Sequence, residues 1–175
     1  EGVRGPWACG PGARAAAVET AVFTLGFWGA AGLWLILVSF QNSFGALYAW
    51  VGAMIGAFMF GLASGTLLPR KNLRWILLAA VLWSLASGGV FALRSAPDFL
   101  LVLLHAMRAG GAGVLVGAGY VAAVDAVGPS SARVAGRLYA LDVGGGVAGT
   151  LLAAGVLMPG HGAWALAAVC GLACG

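Results

Sequence analysis

The chain has 175 residues, of which 62% are hydrophobic and 8% are charged, and its mean hydropathy is +1.00. Soluble domains carry about 25% charged residues, so this composition excludes an ordinary soluble domain and predicts a protein embedded in a lipid bilayer. The net charge of +4 would suit nucleic-acid binding in a soluble protein. Here the basic residues lie between apolar runs and set membrane orientation instead, so we expect no nucleic-acid partner.

The apolar runs divide into six segments and predict an all-α, polytopic transmembrane bundle. Residues 1–14, rich in Gly, Pro and Arg, are expected to form a cytoplasmic loop or linker, and residues 15–175 the transmembrane domain. The predicted spans are residues 15–40, 44–68, 73–93, 98–127, 138–158 and 163–175, the last of which is cut short. A hydrocarbon core of about 30 Å needs roughly 20 helical residues. The chain therefore resembles a segment of a longer membrane protein.

The basic residues predict the orientation of the spans. Arg70, Lys71 and Arg74 crowd into the turn after Pro69, and a basic cluster in a short turn is typical of the cytoplasmic side. With the N-terminus inside, the other turns that carry arginine fall on the same side, except the one at Arg94. We place Arg133 and Arg137, on the cytoplasmic side, in a short surface helix that leads into the fifth span.

Glycines recur at four-residue spacing within the apolar runs. Such small residues let helix backbones approach closely in lipid, where hydrophobicity drives little helix association. The glycines that we assign to helix packing are Gly52, Gly56, Gly61, Gly65, Gly145 and Gly149. The fifth span also matches a GxGxxG pattern, but a dinucleotide site needs a preceding strand and a later acidic residue, and no Asp or Glu follows Asp142.

Five ionisable residues in the spans are candidates for substrate binding or gating, because charged groups are costly in lipid. Arg108 is the deepest, and His105 lies one turn away on the same helical face. Arg108 could bind an anion or partner an intramembrane acid, or it could cap carbonyls in a purely structural role. His105 could relay protons, but haem ligation would need a second ligand and only His161 is available. A simple hydrogen-bonded histidine is favoured.

Glu19, Asp125 and Asp142 lie near the cytoplasmic ends of their spans. They could bind a cationic substrate, or they could pair with Arg74, Arg133 or Arg137 and gate the cytoplasmic side. The chain holds no cysteine metal cluster, no GxSxG nucleophile motif and no HExxH zinc motif. We therefore predict no catalytic residue, no metal and no cofactor for this segment, and we treat Cys170 and Cys174 as packing residues.

Two stretches resemble the membrane region of fused major-facilitator/spermidine-synthase-like bacterial proteins. They are FGALYAWVGAMIGAFMFGLASGTLL, residues 44–68, with the basic turn behind it, and RLYALDVGGGVAGTLLAAGVLMPGHG, residues 137–162. The resemblance implies half of a major-facilitator-like fold in the bacterial cytoplasmic membrane. The LPRKN turn at residues 68–72 matches the position of that family's cytoplasmic loop motif but lacks its acidic residue.

Three functions follow from these observations. The first, which the resemblance implies, is a transporter-like domain that handles or senses a small charged molecule such as a polyamine, and it predicts a polar cavity lined by Arg108 and Asp142. The second is a non-catalytic scaffold subunit of a larger membrane complex, for example a redox complex, and it predicts a filled bundle interior. The third, which the resemblance also implies, is the membrane anchor of an aminopropyltransferase-like enzyme. Each expects a second helical half, further membrane subunits or a soluble domain outside this segment.

Overall fold

The computed structural model describes residues 11–44, 48–68, 72–89, 98–127 and 132–157, and these form helices joined by short connections. The helices are α1 (Pro11–Phe44), α2 (Tyr48–Thr66), α3 (Leu73–Gly89), α4 (Asp98–Val127) and α5 (Ala132–Leu152), which continues into a π-helical turn (Ala153–Leu157). The described residues contain no strand. The prediction of an all-helical bundle is therefore confirmed for this part of the chain.

Three of the described helices are long and apolar enough to cross a membrane. These segments are Ala15–Asn42, Asp98–Val127 and Ala132–Gly155, while Trp50–Thr66 and Leu73–Ala86 are shorter apolar helices. The lengths of 28, 30 and 24 residues exceed the roughly 20 residues that a hydrocarbon core requires. This is the architecture of an integral membrane protein. The sixth predicted span, at residues 163–175, lies outside the described residues.

Local sequence explains where the helices begin and end. Proline suits the first helical position because its missing N–H has no helical partner there. Accordingly α1 begins at Pro11, four residues inside the segment that we expected to be a loop. Asp98 lies in the first turn of α4, where a carboxylate favours the positive helix end. Asn72 precedes α3, and its Oδ1 accepts the backbone N–H of Arg74 at 3.1 Å.

The predicted surface helix and the fifth predicted span are one helix. α5 runs without a break from Ala132 to Leu152, whereas the sequence suggested a separate short helix before residue 138. Gly136 is the residue most able to interrupt this stretch, but a single glycine costs a helix only about 1 kcal/mol relative to alanine. Arg133 and Arg137 therefore belong to the first two turns of a membrane-length helix.

Helix α4 is the centre of the bundle and packs against α1, α2 and α3. α1 and α4 run antiparallel, since Gly29 lies beside Val116 and Ser39 beside His105. α2 and α4 run parallel, since Gly61 lies against Gly110 and Gly65 against Val114. α1 and α5 are parallel as well. The bundle thus alternates in direction from helix to helix, as a chain that crosses a membrane repeatedly must.

Apolar side chains fill the interior of the bundle. The largest cluster joins α1, α2, α3 and α4 through Leu25, Trp28, Phe58, Ala80 and Ala112, among others. A second cluster at the end that holds the start of α1 and α5 centres on Val22 and Leu138, and a third at the opposite end centres on Phe40 and Met54. The interior is therefore packed over most of the length of the described helices.

Candidate functional site

A groove with a volume of about 490 Å³ runs between α1, α2, α4 and α5 and carries Asp142 in its lining. Its floor includes the small residues Gly26, Gly29 and Gly146, and its walls are apolar side chains such as Phe58 and Leu62. The rim residues Met59, Val147 and Leu151 are 57%, 55% and 67% exposed. The groove is therefore open toward the outside of the bundle, on a surface that would face lipid or a partner.

The position of Asp142 depends on a glycine of α1. A Cβ atom placed on Gly26 would collide with the backbone carbonyl oxygen of Asp142 and would lie 2.8 Å from its Oδ1. Only a residue without a side chain leaves room for this carboxylate and backbone. Among the described residues, none donates a hydrogen bond to the Asp142 carboxylate or forms an ion pair with it.

His105 lies between α4 and α1, toward the end of the bundle opposite to Asp142. The ring is 2% exposed; Nδ1 lies 2.7 Å from the carbonyl oxygen of Leu101, and Nε2 lies 3.2 Å from Oγ of Ser39. A carbonyl oxygen only accepts, so Nδ1 carries a proton, and in the neutral ring Nε2 accepts the Ser39 hydroxyl proton. Phe40 contacts the ring edge-on at 5.6 Å between centroids.

These contacts favour a structural role for His105 over haem ligation. With Nδ1 donating to Leu101 and Nε2 engaged by Ser39, neither nitrogen offers a lone pair to an iron without breaking a buried hydrogen bond. Buried polar groups in apolar surroundings are normally satisfied in this way. His105 therefore serves as a buried hydrogen-bonding link from α4 to α1. His161, which was the available second ligand for a haem, lies outside the described residues.

Arg108 and Asp142 do not share the groove. Arg108 is buried, at 6% exposure, and it does not line the cavity that holds Asp142. His105 contacts α1 at Ser39 whereas Asp142 lies at Gly26, a separation of about 20 Å along a helix axis. Arg108, one turn from His105, is only slightly closer to Asp142. The polar cavity lined by both residues, which transport was expected to require, is not formed by this groove.

Charged residues collect at one end of the bundle. Arg137 Nη2 donates to Glu19 Oε2 at 2.9 Å and joins α5 to α1, which is one of the pairings that the sequence allowed. The hydroxyl of Tyr120 donates to the carbonyl oxygen of Ala135 at 3.1 Å and joins α4 to α5. Asp125 is exposed near the end of α4. Arg74 lies at the same end, while Arg70 and Lys71 lie outside the described residues.

The packing glycines fall into two groups. A Cβ on Gly61, Gly65, Gly145 or Gly149 would collide with the backbone of a neighbouring helix, of α4 for the first two and of α1 for the others. In contrast, a Cβ on Gly52 or Gly56 would meet no described atom within 4 Å. The packing expected at Gly52 and Gly56 is thus absent among the described residues, because this side of α2 faces away from α4.

The sequence did not predict several of the residues that join one helix to another. Gly113 and Gly117 of α4 approach the backbone of α2, and Trp28 Nε1 donates to Ser84 Oγ at 2.6 Å, which connects α1 to α3. The Ser84 hydroxyl in turn donates to the Ala80 carbonyl oxygen. Serine and tryptophan inside apolar helices are a usable signal, because a buried donor requires an acceptor. The identity of the partner depends on the fold.

The described residues form no candidate metal centre, and comparison with known proteins does not identify a family. The described residues contain no group of three or more His, Cys, Asp or Glu side chains that could hold a metal ion. No protein-family model, no curated protein and no solved structure matches the chain. The class of the protein is therefore an all-helical integral membrane protein. Its function has to be inferred from the geometry of its own residues.

Proposed function

We propose that this chain is a non-catalytic helical membrane domain that anchors or scaffolds a larger membrane protein or assembly. The observation that carries this proposal is the combination of a filled interior with an apolar outer surface. Large side chains such as Phe60, Leu82 and Phe99 are 77%, 66% and 80% exposed. A surface of this kind is stable only against lipid or other membrane helices.

The position of the deepest charges supports the same function. A transporter needs polar groups in a central, accessible cavity, but Arg108 is buried away from the groove and His105 is engaged by Ser39 and Leu101. His105 thereby connects α4 to α1 within the bundle. On the resemblance of residues 44–68 and 137–162, we further propose that the bundle is one half of a six-span, major-facilitator-like fold in a bacterial cytoplasmic membrane. An attached aminopropyltransferase-like domain would make the chain its membrane anchor.

The test is site-specific photo-crosslinking in native membranes. A benzophenone amino acid at Phe60 or Phe99 should give a discrete protein adduct, because these outward positions would contact a partner helix. The same group at Phe40, which is 1% exposed, should give only internal crosslinks and serves as the matched control. Lipid adducts alone at every outward position would contradict a scaffold role.

A transporter-like role is the second candidate, and Asp142 favours it. Its carboxylate lies in an open groove at membrane depth, where acidic residues commonly mark substrate pathways. Uptake of labelled small cations into proteoliposomes that contain the full-length protein would test this role. Uptake that disappears in Asp142→Asn but persists in Arg108→Met would support it, and absence of any uptake above protein-free liposomes would exclude it.

A further inference from the structure

Among the described residues, Asp142 is the one charged side chain that lines the groove between α1, α2, α4 and α5. The other polar side chain there, Thr150, donates its hydroxyl to the Gly146 carbonyl oxygen at 2.9 Å and is therefore satisfied within its own helix. The remaining walls are apolar. The groove thus offers a ligand one carboxylate and otherwise only hydrocarbon contact.

Asp142 lies inside α5, beyond the charged end of the bundle. It follows Arg137, which pairs with Glu19 at that end, by about 7.5 Å along the helix axis. A carboxylate in a mainly apolar groove favours a cation or a proton as its partner, because desolvation of an unpaired charge is costly. Within the described part of the chain, no Lys or Arg forms an ion pair with it.

We propose that the groove binds an amphipathic monoamine, with its single ammonium group at Asp142 and its alkyl or aryl tail along α5 toward Leu151. Asp142 and Leu151 both line the groove, and their spacing corresponds to about 13 Å along a helix. The volume of about 490 Å³ falls in the range of small-molecule sites, which are mainly apolar with a few placed polar groups.

The same geometry selects against other ligand classes. An anion would meet the carboxylate of Asp142 without any compensating cation in the groove lining. A polyamine would place its second and third ammonium groups against apolar walls such as Phe58 and Leu62, where nothing neutralises them. If the protein is a transporter, its substrate is therefore a singly charged, amphipathic molecule and not a polyamine. The same selection holds if the groove retains the molecule without moving it.

The experiment measures saturable binding of radiolabelled n-octylamine to the full-length protein in phosphatidylcholine nanodiscs, with empty nanodiscs as background. We expect displacement by unlabelled octylamine but not by octanoate or spermidine. Asp142→Asn should weaken binding at least tenfold, since it removes the charge and keeps the size. Asp98→Asn, a carboxylate at the far end of the bundle, should leave binding unchanged.

A second variant tests the tail without altering the charge. Val147 lines the groove and is 55% exposed, so Val147→Trp can fill the groove without disturbing the interior, and it should also weaken binding at least tenfold. Thermal unfolding of each variant confirms that it folds. The proposal is overturned by binding no greater than that of empty nanodiscs, by equal binding in Asp142→Asn or Val147→Trp, or by competition from spermidine. Loss of binding when phosphatidylethanolamine is added would overturn it too and assign the groove to a lipid headgroup.

Discussion

The hydrogen bond between Ser39 and His105 is the clearest single-residue link between α1 and α4. Ser39→Ala would leave Nε2 of a buried imidazole without this partner, and such a loss typically destabilises a protein by about 1–3 kcal/mol. We expect a lower midpoint in thermal unfolding of the purified protein in detergent. Ser64→Ala is the matched control. Its hydroxyl bonds only to the Phe60 carbonyl within its own helix, so its removal should change stability by no more than about 0.5 kcal/mol.

The ion pair between Glu19 and Arg137 should contribute little by comparison. The side chains are 26% and 70% exposed, and exposed pairs contribute about 0–1 kcal/mol because water and salt screen them. Glu19→Gln should lower the free energy of unfolding slightly at low salt and have no effect at 1 M salt. The exchanged pair Glu19→Arg with Arg137→Glu should recover most of the loss. An effect independent of salt would show that Glu19 acts through another contact.

At the scale of the helices, the glycines of α2 provide an internal comparison. A Cβ on Gly61 would collide with the backbone of Gly110, whereas one on Gly56 would meet open space. We therefore expect Gly61→Ala to separate α2 from α4 and to destabilise the bundle by about 1–3 kcal/mol. Gly56→Ala should be neutral or stabilising by up to about 1 kcal/mol, since alanine favours a helix. Unfolding in a denaturing detergent measures both variants.

These glycines also show which features of the helix packing can be predicted from the sequence. Gly52 and Gly56 have the same four-residue spacing as Gly61 and Gly65, yet within the described part of the chain only the second pair contacts a neighbouring helix. Spacing identifies a small-residue face, but which face meets a partner depends on how α2 and α4 cross. Similarly, the bounds of α4 follow from Pro97 and from the Gly128-Pro129 break, because proline and glycine act locally.

The candidate site was less predictable than the helices. Asp142 is conspicuous in the sequence because it is acidic within an apolar run. Its environment is set by Gly26, on a helix separated from it by three others, and no local rule connects the two residues. Arg108 and Asp142 were expected in one cavity because both are charged and both lie in spans. The groove that holds Asp142 does not include Arg108 because of how the helices pack around it, which a hydropathy pattern does not encode.

At the scale of the whole molecule, the alternating helix directions predict which turns are accessible from each side of the membrane. In a cysteine-free background, Gln41→Cys should react with a membrane-impermeant maleimide added to intact cells, since the last turn of α1, which holds Gln41, would lie at the outer surface. Asn72→Cys, beside the basic turn before α3, should react only after permeabilisation, because basic turns remain in the cytoplasm. The reverse pattern would invert the orientation and place the Glu19–Arg137 ion pair outside.

The close contact between α1 and α5 has a consequence for the order in which the protein is made. Gly26 of α1 lies against Asp142, and Phe27 against Gly149, so the face of α1 that packs on α5 has no partner until α5 has been synthesised. α1 ends at Phe44 and α5 begins at Ala132, and at roughly 5–20 residues per second the delay is on the order of 4–18 s. During that interval α1 resides in the membrane with this face uncovered. A chaperone or the insertion machinery that shields it would therefore act on the first helix and be released by the fifth.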